Sequence, residues 1–106
     1  MRIAIASSSD IGIPLFEKIA ASDHQIAFAL ANPDARKGRG LEKFRNVFAA
    51  KCDEYQVQVF QPESALEIST ILENNPVDLV ITIAYGKLIR QEALIKPTYG
   101  WMNVHF

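Results

Sequence analysis

The segment Leu79–Ala84 (LVITIA) is the most apolar stretch of the chain, and it decides the fold. Its apolar residues do not alternate with polar ones, and the run is short and closely followed by Gly86, so it predicts a buried strand. Two earlier runs of the same kind, Ile3–Ala6 (IAIA) and Ile26–Leu30 (IAFAL), predict further strands. Because both faces of such strands must be covered, the three segments indicate a parallel sheet.

Helical patterns separate these strands. Pro14 suits the first turn of a helix, where its missing N–H costs nothing, and Ser64 with Glu67 forms a capping box that starts another. Apolar residues at helical spacing predict the buried faces of these two helices and of a third between them. In chain order, these residues are Leu15, Phe16, Ile19 and Ala20; Phe44, Val47, Phe48 and Cys52; and Leu66, Ile68, Ile71 and Leu72.

The remaining segments complete an alternating pattern. Val57–Phe60 and Trp101–Phe106 are predicted strands, and Leu88–Leu94 is a predicted short helix, whereas Ala35–Gly40 has little helix or strand signal and is expected to be a loop. Alternating strands and helices predict an α/β fold, a doubly wound parallel sheet with helices on both faces. Since the sequence stops inside its predicted fifth strand, we expect a domain truncated after that strand.

Composition excludes several classes of protein. With 106 residues, of which 49% are hydrophobic and 22% charged, the chain has a globular balance and not a disordered one. Its net charge of −1 argues against a wholly basic nucleic-acid binder. No apolar run approaches the roughly 18–20 residues that span a bilayer. The single cysteine, Cys52, fits a cytoplasmic location. The two histidines, His24 and His105, lie far from it in the sequence, so we expect no metal site.

Ligands of an open parallel sheet bind outside the carboxyl ends of its strands, which selects Ser7–Gly12, Asn32–Gly40, Ala84–Ile89 and the end of the last strand. Ser7–Gly12 has one glycine where a dinucleotide-binding fingerprint needs three, which argues against NAD binding. We expect a turn there in which Asp10 binds nearby backbone amides.

Asn103 and His105 are two residues apart in the last predicted strand, so they share one of its faces. An amide and an imidazole on one face can stabilise an oxyanion and move protons in acyl transfer. The alternative is an ordinary hydrogen-bonded pair near a strand end.

Positive charge is concentrated between residues 34 and 46, where five basic residues face two acidic ones. Such a stretch binds phosphate groups or forms a solvated surface. The basic residues are Arg36, Lys37, Arg39, Lys43 and Arg45.

Five stretches together resemble methionyl-tRNA formyltransferases, in the same order and at the same spacing. No single stretch is decisive, but five in register are specific and cover essentially the whole chain. They are Asp10–Pro14 (DIGIP, against D-F-x-V-P), Asp34–Gly40 (DARKGRG, against a basic loop with P-D-x-x-x-G-R-G), Val59–Glu63 (VFQPE), Ile83–Gly86 (IAYG, against V-A-Y-G) and Gly100–His105 (GWMNVH, against G-x-x-N-V-H).

The resemblance implies that residues 1–106 form the N-terminal part of a catalytic domain with a Rossmann-like formyltransferase fold. Such an enzyme transfers a formyl group from 10-formyltetrahydrofolate to the amino group of methionyl initiator tRNA in translation initiation. It would be cytoplasmic, monomeric, free of metal and not bound to a membrane. We expect the rest of the domain, a third catalytic residue (an aspartate) and a C-terminal tRNA-binding barrel to lie beyond Phe106, so this chain alone is predicted to be inactive.

The resemblance also implies roles for individual residues. Asn103 would stabilise the oxyanion of the tetrahedral intermediate, and His105 would assist there and in proton transfer. The substrate amine is the nucleophile, so no Ser or Cys nucleophile is needed. The segment matched to the folate's pteridine pocket is Gly86, Lys87, Leu88 and Ile89. The residues matched to tRNA binding are Arg39 and, beside it, Arg36 and Lys37.

The sequence departs from the family pattern in two places. Ser7–Ser9 stands where G-T-P is usual, and Arg90 stands where a proline is usual. Two other functions stay open at this point. One is a related folate-dependent formyltransferase that acts on a sugar nucleotide or a purine precursor, and the other is a non-catalytic RNA-binding module.

Overall fold

A computed structural model describes residues 1–37 and 42–105, with the backbone alone at residues 36, 37, 42 and 43. The strands of this described part are β1 (Arg2–Ser7), β2 (Gln25–Leu30), β3 (Ala35–Lys37), β4 (Glu42–Phe44), β5 (Val59–Phe60), β6 (Leu79–Ile83) and β7 (Trp101–Val104). Five of them form one sheet in the order β5-β2-β1-β6-β7. Each neighbouring pair in it is parallel, which confirms the predicted α/β fold.

Helices cover both faces of the sheet, as predicted. Helices α1 (Ile13–Ala20) and α2 (Val47–Glu54) pack on one face, and α3 (Ala65–Asn74) and α4 (Gln91–Leu94) pack on the other. Strand β1 shows why both faces are apolar, since Ile3 and Ile5 contact the first pair of helices while alternate residues contact the second. No helix in the described ranges is long and apolar enough to cross a membrane.

The prediction of a loop over Ala35–Gly40 is wrong for its first half, because β3 pairs antiparallel with β4. Cross-strand pairing, which local propensity does not report, orders these residues. The rest of that segment, with Arg39, lies outside the described residues. Phe44 was expected in a helix but belongs to β4. The helix begins later because Asn46 caps it: its Oδ1 accepts from the backbone N–H groups of Phe48 and Ala49 at 3.0 and 3.2 Å.

Helix α3 begins at the predicted capping box. Ser64 Oγ accepts from the backbone N–H of Glu67 at 3.2 Å, and a Glu67 carboxylate oxygen accepts from the N–H of Glu63 at 2.6 Å. The buried face of α3 is smaller than predicted, because the side chain of Leu66 in the first turn is 66% exposed. A helix was predicted over Leu88–Leu94, but the observed helix α4 covers only Gln91–Leu94.

Candidate functional site

The carboxyl ends of β1 and β6 meet because these strands are adjacent and parallel. Beyond their last paired residues, the backbone N–H of Ser8 donates to the carbonyl of Ala84 at 3.0 Å. The hydroxyl of Ser8 donates to the carbonyl of Tyr85 at 2.6 Å. On the other side, Asn46 Nδ2 donates to the Ser8 carbonyl at 3.4 Å. Two of the loops selected from the sequence, Ser7–Gly12 and Ala84–Ile89, are therefore in direct contact, and Asn46 at the start of α2 joins them.

Asn103 lies on β7 and His105 directly follows this strand, which ends at Val104. The two side chains are in contact, with Asn103 Nδ2 2.7 Å from His105 Nε2. The register of β6 and β7 places Thr82 beside Asn103, and its hydroxyl donates to Asn103 Oδ1 at 2.9 Å. With its oxygen engaged by Thr82, the Asn103 amide presents its nitrogen to the imidazole of His105. Asn103 and His105 are both exposed to solvent.

A cavity of about 370 Å³ adjoins Asn103. Its wall is held in place partly by Trp101, whose indole N–H donates to the carbonyl of Ala93 in α4 at 3.0 Å. At the end of β6 the backbone turns through two left-handed residues, Ala84 with φ 52° and Gly86 with φ 77°. The cavity is lined by Thr82, Tyr85, Gly86, Lys87, Ile89, Leu94, Trp101 and Asn103.

The structure thus brings most of the sequence-predicted site residues together. Gly86, Lys87 and Ile89 line the same cavity as Asn103. Leu88 does not line it; its side chain is 83% exposed. Sequence reasoning missed Thr82, Leu94 and Trp101, and it included Tyr85 only as part of the selected loop Ala84–Ile89. Thr82 carried a signal, because it is the only hydroxyl-bearing residue of the LVITIA strand, whereas Leu94 and Trp101 enter the site through tertiary packing.

Tyr85 is an unusual member of the cavity lining. Its side chain is 4% exposed, and its hydroxyl has no hydrogen-bond partner among the described residues. Burial raises the pKa of the phenol above its ordinary value, so the hydroxyl stays neutral and keeps its proton at physiological pH. It packs in the core on the α3 and α4 face of the sheet.

The turn after β1 differs from the prediction. Ser9, not Asp10, is the capping side chain: its Oγ accepts from the backbone N–H of Ile11 at 3.2 Å. Ser9 has the extended backbone that a capping residue needs, while Asp10 already belongs to the short 3-10 turn Asp10–Gly12. Gly12 packs against the strand end so closely that a Cβ there would lie 2.4 Å from Ser7 Oγ.

Polar groups at the far end of the same edge pair with one another. Arg45 donates two hydrogen bonds of 2.9 Å to Asp53 and one of 2.7 Å to Gln61. Gln61 in turn donates to Asp34 Oδ1 at 2.6 Å, and that oxygen also accepts from the backbone N–H of Asn46 at 2.9 Å. We call these five residues the paired cluster.

The paired cluster changes the interpretation of the basic stretch. The hydrogen bond to Asp53 raises the pKa of Arg45, and this guanidinium is committed to its partners. Arg36 and Lys37 lie on β3, which continues directly from the cluster at Asp34. Arg39 lies outside the described residues.

Comparison with known proteins gives one consistent answer. The chain is 34% identical over 109 residues to the methionyl-tRNA formyltransferase of Thermobifida fusca, and all of the chain is covered. It is 36% identical over 108 residues to that of Mycobacteroides abscessus and 30% identical over 107 residues to that of Rickettsia bellii. It spans 35% of the length of each of these relatives. No protein-family model matches the chain.

Proposed function

From this similarity to methionyl-tRNA formyltransferases, which extends over the whole of the 106-residue chain, we propose that the chain carries the formyl-transfer site of such an enzyme. The reaction moves a formyl group from 10-formyltetrahydrofolate to the amino group of methionyl initiator tRNA, in the cytoplasm. The observation that carries the proposal is the arrangement of Thr82, Asn103 and His105 beside a cavity at the carboxyl ends of β6 and β7. This is where an open parallel sheet binds its ligands.

The amide of Asn103 is oriented for the first step. The amine nitrogen attacks the formyl carbon, a C–N bond forms, and the carbonyl electrons move to oxygen. An amide nitrogen carries two N–H bonds, and in Asn103 one of them points to His105. The second donates to the developing oxyanion, and Thr82 keeps the amide from turning its oxygen towards that charge.

His105 serves the proton transfers. Its Nε2 lies 2.7 Å from Asn103 Nδ2, which places an imidazole beside the proposed oxyanion donor, and the imidazole takes the proton that the attacking amine must lose. When the intermediate collapses, the bond between the formyl carbon and N10 of the folate breaks, and N10 receives a proton. The net reaction moves one formyl group in one direction and one proton in the other.

The cavity is the proposed site of the folate donor. Its volume of about 370 Å³ falls in the usual range for small-molecule sites. Ile89, Leu94 and Trp101 supply apolar surface for a flat heteroaromatic ring, and the backbone around Gly86 and Lys87 supplies polar contacts. Leu88 projects away from this wall, so we place it at the rim of the site.

Arg36, Lys37 and Arg39 are proposed to bind the tRNA. Short basic segments attract phosphates, and their contribution falls as salt concentration rises. The location of Arg36 and Lys37 supports this role, because β3 follows Asp34 of the paired cluster, and Asn46 of that cluster contacts the Ser8 loop beside the cavity. Binding here would hold a tRNA at the same edge of the sheet as Asn103.

The test is a formyl-transfer assay with the natural gene product. It is supplied with 10-formyltetrahydrofolate and, in parallel, with charged methionyl initiator tRNA or with an amino-sugar nucleotide. We expect N-formylmethionyl-tRNA and no formylated sugar. Formylation of the sugar amine without the tRNA product, or no transfer to either acceptor, would overturn the proposal. The same assay on the 106-residue chain tests the prediction that it is inactive by itself.

A further inference from the structure

Ser8 holds two consecutive carbonyl groups at the end of β6. Its backbone N–H donates to Ala84 and its hydroxyl donates to Tyr85, at 3.0 and 2.6 Å. The ladder between β1 and β6 ends with the pair Ser7 and Ile83. The two carbonyls therefore lie past the last strand pairing, and Ser8 supplies the hydrogen bonds that the ladder no longer gives.

The segment that Ser8 holds has a strained backbone. Ala84 is a non-glycine residue in the left-handed region, and Gly86 two residues later also has positive φ. A left-handed alanine persists only when the surrounding contacts require it. Because Gly86 begins the wall formed by Gly86, Lys87 and Ile89, the direction of this turn sets the shape of the cavity.

We propose that Ser8 is a positioning residue of the donor cavity. Its hydroxyl fixes the turn Ala84–Gly86, and through that turn it sets the places of Lys87 and Ile89. Ser8 does not itself line the cavity, so it acts on the ligand only through the turn. The identity of the ligand rests on the proposed function, whereas the action of Ser8 on the turn does not.

The hydroxyl makes a specific prediction about substitutions. Ser8→Thr keeps a hydroxyl at the same position, while Ser8→Ala removes it and leaves the Tyr85 carbonyl without this donor. Ser22→Ala is the matched control, because the Ser22 hydroxyl donates to the Ile19 carbonyl with the same length of 2.6 Å, far from the cavity. All three variants are made in the natural gene product.

Hydrogen exchange of the backbone amide of residue 8, which donates to the Ala84 carbonyl, tests the proposal without any ligand. We expect this amide to exchange about 3- to 10-fold faster in Ser8→Ala, the range for one net hydrogen bond. Ser8→Thr and Ser22→Ala should stay within about twofold of the unmodified protein. Unchanged exchange in Ser8→Ala, or equal acceleration in Ser8→Thr, would overturn the proposal.

Ligand binding and kinetics test the consequence for the cavity. The probe is 5-formyltetrahydrofolate, a stable isomer of the proposed donor. We expect Ser8→Ala to raise its Kd and the donor KM by about 3- to 10-fold with little change in kcat, and Ser8→Thr to restore both. A fall in kcat without a rise in KM would contradict a positioning role. If the unmodified protein does not bind the probe, the proposed donor is wrong, and hydrogen exchange still decides the role of Ser8.

Discussion

The carboxyl edge of the sheet has two polar ends that differ in how their groups are satisfied. At the β6 and β7 end, Asn103 and His105 are exposed and pair with each other beside a cavity. At the β2 and β5 end, the side chains of the paired cluster hydrogen-bond with one another or cap a helix. A polar group can act on a substrate only if it retains a free donor or can exchange its partner. Position at the sheet edge is therefore necessary for a site but does not identify one.

The difference is clearest in Arg45. From the sequence it belongs to a basic stretch that could attract phosphate. In the structure its guanidinium spans Asp53 and Gln61, so it orients the chain between β4 and α2 instead. We call the β6 and β7 end of the sheet edge the open end and the β2 and β5 end the paired end. The difference between them predicts that substitutions at the open end alter catalysis, while substitutions at the paired end alter stability.

The largest expected effect is at the open end. Asn103→Ala removes the proposed oxyanion donor and should lower kcat by about 10²–10³-fold in the natural gene product. The thermal midpoint should hardly change, because the side chain is exposed. Met102→Ala is the control, since Met102 is the exposed neighbour on the opposite face of β7. A normal kcat in Asn103→Ala would contradict the claim that the open end carries catalysis.

The next largest effect is expected at Gly12, which packs closely against Ser7 at the end of β1. Gly12→Ala should destabilise the protein by about 1–3 kcal/mol, because the new methyl group meets the buried Ser7 side chain. Urea unfolding measures this loss. Ser7→Gly removes the obstacle, so the same substitution should cost less in that background. An equal cost in both backgrounds would show that the contact with Ser7 is not the cause.

The buried thiol of Cys52, in α2, should make the stability of the fold depend on pH. Burial raises the pKa of the Cys52 thiol from 9.0 to about 12. The folded state then keeps a proton that the unfolded chain releases above pH 9, so stability falls as pH rises through this range. At pH 10 the loss is on the order of 1 kcal/mol. Urea unfolding of the protein and of Cys52→Ala at pH 8, 9 and 10 measures it, and parallel pH profiles would contradict the burial argument.

The smallest effect is at the paired end. Asn46→Ala removes the cap of α2 and should cost about 1 kcal/mol of unfolding free energy. Asn46→Ser keeps a capping oxygen and should recover most of that loss. Thermal and urea unfolding of the two variants check the order. A serine variant as unstable as the alanine variant would show that capping is not what Asn46 contributes.

Much of the fold could be predicted from short-range patterns. The continuous apolar strands LVITIA and IAFAL indicated a sheet covered on both faces, and the capping box at Ser64 located the start of α3. The β3 and β4 pair was missed because it depends on cross-strand contacts between segments of weak local preference. The start of α2 was misplaced because the apolar spacing of Phe44 outweighed the capping signal of Asn46.

The candidate site was predictable only in part. Strand alternation placed Asn103 and His105 on one face, and the structure shows them in contact. The partnership of Asn103 with Thr82 depends on the register of two strands that are adjacent in space. Arg45 could not be told apart from its basic neighbours in the sequence. Its partners Asp53 and Gln61 come into contact with it only in the tertiary structure. The catalytic, folate-binding and tRNA-binding roles remain predictions.

The most direct measurement is a titration of the ¹⁵N-labelled natural gene product with 5-formyltetrahydrofolate, followed through side-chain and backbone amide signals. The account predicts that the Asn103 side-chain amide and the Gly86 backbone amide shift with one saturation curve. It predicts no shift of the Asn46 side-chain amide beyond that of residues far from both ends. Shifts at Asn46 with none at Asn103 and Gly86 would contradict the assignment of the β6 and β7 end as the site.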